Sequence, residues 1–190
     1  MILRIDKLMY EDDGDCVIRF MDGEVFCHVA KVVNGYYIYN KHGVQIAQML
    51  FYRKVCDLVM ANPYIAKESS YVLERKRRDN LIIRRPKIKK KRDKKFIAKL
   101  EKNNYKNVLN KVYFTLMGDF EGYNYDIYAN TEVVGNVLPH ENDGYFKLRI
   151  NEGGNIVRLM MMCLAVDRMT FEDKKERKRK RKLFKRLNKN

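Results

Sequence analysis

Two stretches hold most of the side chains able to do chemistry in this chain. Residues 74–102, "ERKRRDNLIIRRPKIKKKRDKKFIAKLEK", set 15 Lys/Arg against 4 Asp/Glu, and residues 174–190, "KKERKRKRKLFKRLNKN", set 11 against 1. Guanidinium forks and ammonium groups at this density neutralise polyanions and release their counterions. The whole chain carries a formal +16, so the residues outside these segments sum to −5, and the basic character is confined to the two runs. The candidate anion contacts are Arg75, Lys76, Arg77, Arg78, Arg84, Arg85, Lys87, Lys89, Lys90, Lys91, Arg92, Lys94 and Lys95 in the first run. In the second they are Lys178, Arg179, Lys180, Arg181, Lys182, Lys185 and Arg186.

Other chemistry is sparse. Asp119, Glu121 and Asp126 in "GDFEGYNYD" form the best catalytic candidate, but their spacing fits neither a calcium loop nor a proton-transferring carboxylate pair. Beside Gly118 and Gly122 they read as solvated turn residues, as does "EDDGD" at 11–15. No GxSxG, P-loop, GxGxxG or HExxH pattern occurs, so a non-enzymatic protein without a cofactor is expected. Cys16, Cys27, Cys56 and Cys163 are widely spaced and read as reduced thiols of an intracellular protein, cytoplasmic or nuclear, with no signal peptide. Cys27 and His28 are adjacent, and a strand would point them to opposite faces, so no metal site is expected.

The elements that must position the basic runs are strands. "CVIRFMDGEVFCHV" (16–29) places two alternating apolar runs around Asp22-Gly23, the signature of a tight hairpin. "YYIYNKHGVQIAQM" (36–49) repeats the scheme around Asn40 to Gly43, "YDIYANTEVVGNVL" (125–138) repeats it around Asn130, and "YVLERKRRDNLIIRR" (71–85) is a degraded copy with a basic turn. A repeated hairpin without intervening helices predicts an antiparallel barrel or sandwich. "KKFIAKLEKNN" (94–104) suits a short helix or a strand equally.

"NIVRLMMMCLAVDRM" (155–169) is helical in composition, with Asn155 a possible N-cap after Gly153-Gly154. From Leu159 to Val166 it is apolar on every side, so protein or lipid must surround it. Eight residues reach about 12 Å at 1.5 Å each, against the roughly 30 Å of a bilayer core. A helix enclosed by an antiparallel barrel follows. The tail beyond, with its net +10, is not expected to order itself in water, because like charges repel and little apolar area is buried.

"GDFEGYNYDIYANTEVVGNVL", the strand "YFKLRI", the terminal helix ending in "AVDRM" and the earlier "MDGEVFCHVAKVVNGYYIYNKHGVQIAQM" resemble the LURP-one-related and tubby C-terminal-like superfamily, which includes phospholipid scramblases. The resemblance covers about residues 14–170, interrupted by the basic insertion. It implies a closed antiparallel β-barrel of about twelve strands around a central hydrophobic C-terminal helix. Tubby proteins bind phosphoinositides and scramblases act at membranes, but no residue of the tubby lipid pocket has a counterpart here. The expected organisation is a mainly β domain at 1–173 with its helix at about 155–169, a basic insertion at about 74–102, and a basic tail at 174–190.

Charge and fold together predict a binding protein that docks on RNA or a ribonucleoprotein particle, ribosome-like in kind, through insertion and tail, with the barrel as scaffold and a surface for protein partners. The alternative is peripheral attachment to anionic, phosphoinositide-type membrane lipid. Its apolar second signal is limited to Leu183, Phe184 and Leu187, without a myristoylation glycine or a CaaX box.

Overall fold

The computed structural model describes residues 1–7, 16–52, 55–60, 71–77, 80–84, 114–140 and 144–187. The expected mainly β, antiparallel architecture with a C-terminal helix is what these residues form. Among them are twelve strands: β1 (Ile2–Asp6), β2 (Cys16–Phe20), β3 (Val25–Val32), β4 (Gly35–Asn40), β5 (Gln45–Tyr52), β6 (Val55–Met60), β7 (Tyr71–Arg77), β8 (Asn80–Arg84), β9 (Phe114–Asp119), β10 (Asn124–Ala129), β11 (Glu132–Pro139) and β12 (Tyr145–Ile150). One helix follows, α1 (Ile156–Leu187).

Each strand pairs antiparallel with its sequence neighbour, and β1 pairs with both β12 and β2, so the pairing runs round a closed ring. The β1–β2 seam is short, with only Leu3↔Phe20 and Arg4↔Arg19 in register, whereas β1 and β12 share five pairs from Ile2↔Arg149 to Asp6↔Tyr145. Alternation along the strands sends one set of side chains inward, as the two-residue period of a strand requires. Leu3 and Ile5, Tyr36 and Ile38, Ala47 and Met49, Leu116 with Phe114, and Phe146 with Leu148 are all buried in one core. Cys27 is buried and His28 exposed, which bears out their expected opposition across the strand.

The hairpins read from the sequence are present, with one correction to turn type. Gly23 N–H donates to Phe20 O (3.0 Å) and Phe20 N–H to Glu24 O (2.8 Å), and only Gly23 of the Asp22-Gly23 pair has positive φ (94°). That is a three-residue loop closed by a left-handed glycine rather than a two-residue turn. The next hairpin copies it: Gly43 N–H donates to Asn40 O, Asn40 N–H donates to Val44 O, and Gly43 has φ 77°. Asn40 Oδ1 accepts from His42 N–H and Val44 N–H, as Asp22 Oδ1 does from Glu24 N–H. At the third hairpin Asn130 itself takes the left-handed conformation, φ 57°.

Helix α1 starts where expected, since Asn155 Oδ1 accepts from Arg158 N–H (3.0 Å) and Asn155 O from Leu159 N–H (3.0 Å). Leu159 through Asp167 are all buried. Their neighbours come from around the ring: Gly135 of β11 beside Leu159, Cys27 of β3 beside Met160, Tyr125 of β10 beside Cys163, and Phe51 of β5 beside Arg168. The helix therefore fills the space that the strands enclose. Among the described residues no helix is long and apolar enough to cross a membrane.

Two expectations need correction. The helix does not end near 169 with an unordered tail after it, but continues to Leu187. From Ile156 to Leu187 there is no glycine or proline. A buried first half has already met the cost of nucleation, so each further residue needs only to propagate. Lys and Arg are good helix formers, the i,i+4 pairs Arg168–Glu172 (3.1 Å) and Glu176–Lys180 (2.7 Å) add support, and cations suit the negative end of the helix dipole. Second, the basic insertion does not interrupt the barrel from residue 74. Residues 74–77 complete β7 and 80–84 form β8, paired with each other and with β6 and β9. The stretch 94–104 and "EDDGD" lie outside the described residues.

Leu164 sits in the buried part of α1, 3% exposed, inside this filled interior. Leu164→Ala should lower unfolding free energy by about 2 to 5 kcal/mol, because neighbouring strands cannot collapse into the cavity. Chemical denaturation reads this directly, and a loss under about 1 kcal/mol would count against an enclosed helix.

Candidate anion-binding surface

The alternating directions of the strands assign each connection to one end of the barrel. Helix α1 enters at the end holding the turns at 21–24, 41–44 and 130–131, and leaves at the end holding 33–34, 120–123 and the β7–β8 connection. Arg75, Lys76 and Arg77 close β7 at this exit end, so topology brings them to the end from which the basic half of α1 emerges. Arg84 closes β8 at the opposite end, away from them. Arg78, Arg85, Lys87, Lys89, Lys90, Lys91, Arg92, Lys94 and Lys95 lie outside the described residues. Lys178, Arg179, Lys180 and Arg181 are exposed on α1, while Lys182, Lys185 and Arg186 occupy its last turns.

A collar of aromatic and charged side chains fixes the helix where it leaves the barrel. Tyr123 takes a left-handed backbone, φ 56°, a conformation costing about 1–2 kcal/mol for an L-residue. It thereby stacks on Phe146 (4.9 Å between centroids) and donates its hydroxyl to buried Asp167 Oδ1 at 2.7 Å. On the next residue of the helix, the Arg168 guanidinium lies over Phe51 at 4.3 Å and over Tyr36 at 5.4 Å, and its Nε donates to Glu172. Lys7 lies over the other partner of the collar, Tyr123, at 5.0 Å. Sequence reasoning assigned Asp167, just after the apolar run, no role of its own. The adjacent Asp-Arg at its end was the available signal for the collar.

Beyond Phe171 the described side chains of the helix are all charged. From Phe171 to Leu187 it adds about 25 Å at 1.5 Å per residue, and every described side chain from Glu172 onward is exposed. Between Arg177 and Leu187 stand eight Lys/Arg and no acid. Such a rod offers phosphate or carboxylate oxygens many charge-assisted donors, and contacts at its exposed surface leave the cations partly hydrated, which keeps the desolvation cost below that of a buried pair.

The carboxylates considered for catalysis hold structure. Asp119 Oδ1 accepts from Glu121 N–H (3.1 Å) and Gly122 N–H (3.0 Å), closing the β9–β10 turn, and Asp126 accepts from Asn136 Nδ2 across the sheet at 2.6 Å. Among the described residues no three His, Cys, Asp or Glu side chains converge as a metal site. The buried thiols are poor nucleophiles, because burial pushes Cys27 and Cys163 up to about 12 and Cys56 further still.

No family model and no curated protein matches the chain. The chain is similar to the X-ray structure of an Arabidopsis thaliana protein, with a TM-score of 0.54 and 13% identity over 87% of this chain and 91% of that one. At that identity the likeness shows the fold alone.

The collar should declare itself at high pH. Burial, and then the charge and hydrogen bond of Asp167, raise the Tyr123 hydroxyl well above the ordinary phenol value, and burial beside Cys163 raises Tyr125. The folded chain thus holds these protons more tightly than the unfolded chain. Their stabilisation is complete below about pH 10 and disappears as pH climbs beyond it. Melting temperature should fall steeply above pH 10, and less steeply in Tyr123→Phe; identical pH profiles would rule out the Tyr123–Asp167 contact as a source.

Proposed function

We propose that this protein is a non-enzymatic binding module that docks on RNA or a ribonucleoprotein particle through the projecting half of α1, with the barrel as its rigid platform. One observation carries the reading: eight cations without an acid over Arg177–Leu187, held on a continuous helix whose other half is the core of the domain. Pre-ordering lowers the entropic cost of binding, which a disordered tail would meet in full on docking. Arg75, Lys76 and Arg77 end β7 at the same end of the barrel from which this helix projects.

The finer fold assignment, to the LURP-one-related and tubby-like superfamily, is supported by the quoted hairpin motifs, by a helix running inside the sheet, and by likeness to the Arabidopsis protein. The alternative, anionic lipid, draws on Leu183, Phe184 and Leu187 beside the cations. A polybasic segment gains about 1 kcal/mol per residue at an anionic surface but needs an apolar partner signal to stay.

Binding to structured RNA should weaken along a log–log salt slope of about −6 to −7 if all eight cations meet phosphates. Removing residues 174–190 should cost about 100-fold or more at 0.1 M salt, where screening is still moderate, while the melt stays cooperative. Equal affinity of full-length and shortened protein would overturn the proposal, and sedimentation with anionic vesicles but no RNA binding would favour lipid.

A further inference from the structure

The charge on the projecting half of α1 is sorted by direction. At 3.6 residues per turn, Arg181, Lys178, Lys175 and Arg179 follow one another round the axis over an arc of about 160°, and all four are exposed. The same repeat puts positions 174, 182, 185 and 186 inside that arc and position 177 about 40° beyond Arg181, all of them Lys or Arg. No acid falls within it. The remaining arc holds Glu172, Glu176 and Lys180, where Glu172 is paired with Arg168 and Glu176 with Lys180, together with position 173, an aspartate.

A flat anionic surface can touch only a narrow stripe of a helix lying on it. Cations spread over nearly half the circumference match a partner that presents phosphates on two sides. We propose that the projecting half of α1 seats in a groove of a double-helical nucleic acid, with Arg181 facing one phosphate wall and Arg179 the other. This rests on the reading of α1 as a nucleic-acid contact and names the shape of its partner.

Dimensions agree. A helix with its side chains is about 10–12 Å across and the major groove of a B-form duplex about 12 Å wide. The regular A-form major groove is narrower, so an RNA partner must open it at an internal loop or bulge. The opposite arc, neutralised by its own ion pair, then faces out of the groove.

Anisotropy titrations of the full chain decide this. The probes are a 20-base-pair DNA duplex, an RNA duplex with an internal loop, a single strand, and phosphatidylserine vesicles. The duplex or the looped RNA should bind at least ten-fold more tightly than the single strand, and which of them wins identifies the source of the groove. Arg179→Ala and Arg181→Ala should each weaken duplex binding about five- to ten-fold and lower the salt slope by about one, while Lys180→Ala changes affinity less than two-fold. Loss at only one of the two arginines, an equal effect of Lys180→Ala, or a single strand bound as tightly as either duplex would overturn the groove while leaving nucleic-acid binding intact. Binding to vesicles alone would overturn both.

Discussion

The enclosure of Leu159–Val166 is the constraint on which the rest of the molecule depends. A helix with no polar side has no stable surface in water, and the strands' inward faces have no other filling. Ring and helix are thus each other's solvent. Tyr125, Phe146 and Met49 have no reason to be apolar on one face unless something apolar stands inside, and the run "LMMMCLAV" supplies it. Methionine suits this role, because its unbranched thioether adapts to the uneven walls of a twelve-strand ring. The short β1–β2 seam is tolerable for the same reason: the ring is held by what it encloses as well as by its hydrogen bonds.

That constraint also explains how a strongly basic segment comes to be ordered. Like charges at successive helical positions repel, and an isolated peptide of this composition would have little to offset the repulsion. Here the helix has already been nucleated within the barrel, and the collar of Tyr123, Asp167, Arg168 and Phe51 fixes its direction at the rim. Asp167 is informative because it is a carboxylate at 5% exposure. Burial of such a group is costly unless its oxygens are satisfied, and the Tyr123 hydroxyl at 2.7 Å answers one of them. The left-handed backbone at Tyr123 is strain spent on that contact.

Much of this was legible from residue order alone. The Asp22-Gly23 and Asn40–Gly43 turns, the Asn155 cap and the apolar block each follow from local rules with a short reach along the chain, and each stands where those rules put it. What was not legible depends on distant contact. The helical state of 174–187 follows from a nucleus buried by strands from across the chain, which composition cannot report. The division of the first basic run, with Arg77 at one barrel end and Arg84 at the other, follows from strand direction. A count of charges treats the two as one patch.

The same strand directions separate the two basic runs into unequal partners. Residues 75–77 reach the exit end because β7 runs toward it, whereas Arg84 and the chain that follows β8 start from the entry end, a barrel's length away. A single compact anion gripped by insertion and tail together is therefore the wrong image. Under the proposed reading, an extended polyanion suits this separation better than a compact one. The projecting half of α1 is continuous with the half that fills the core, one run of helix from Ile156 to Leu187. On the proposed reading, a partner holding the outer half of α1 would also stabilise the inner half against leaving the barrel, coupling binding to folding through one element.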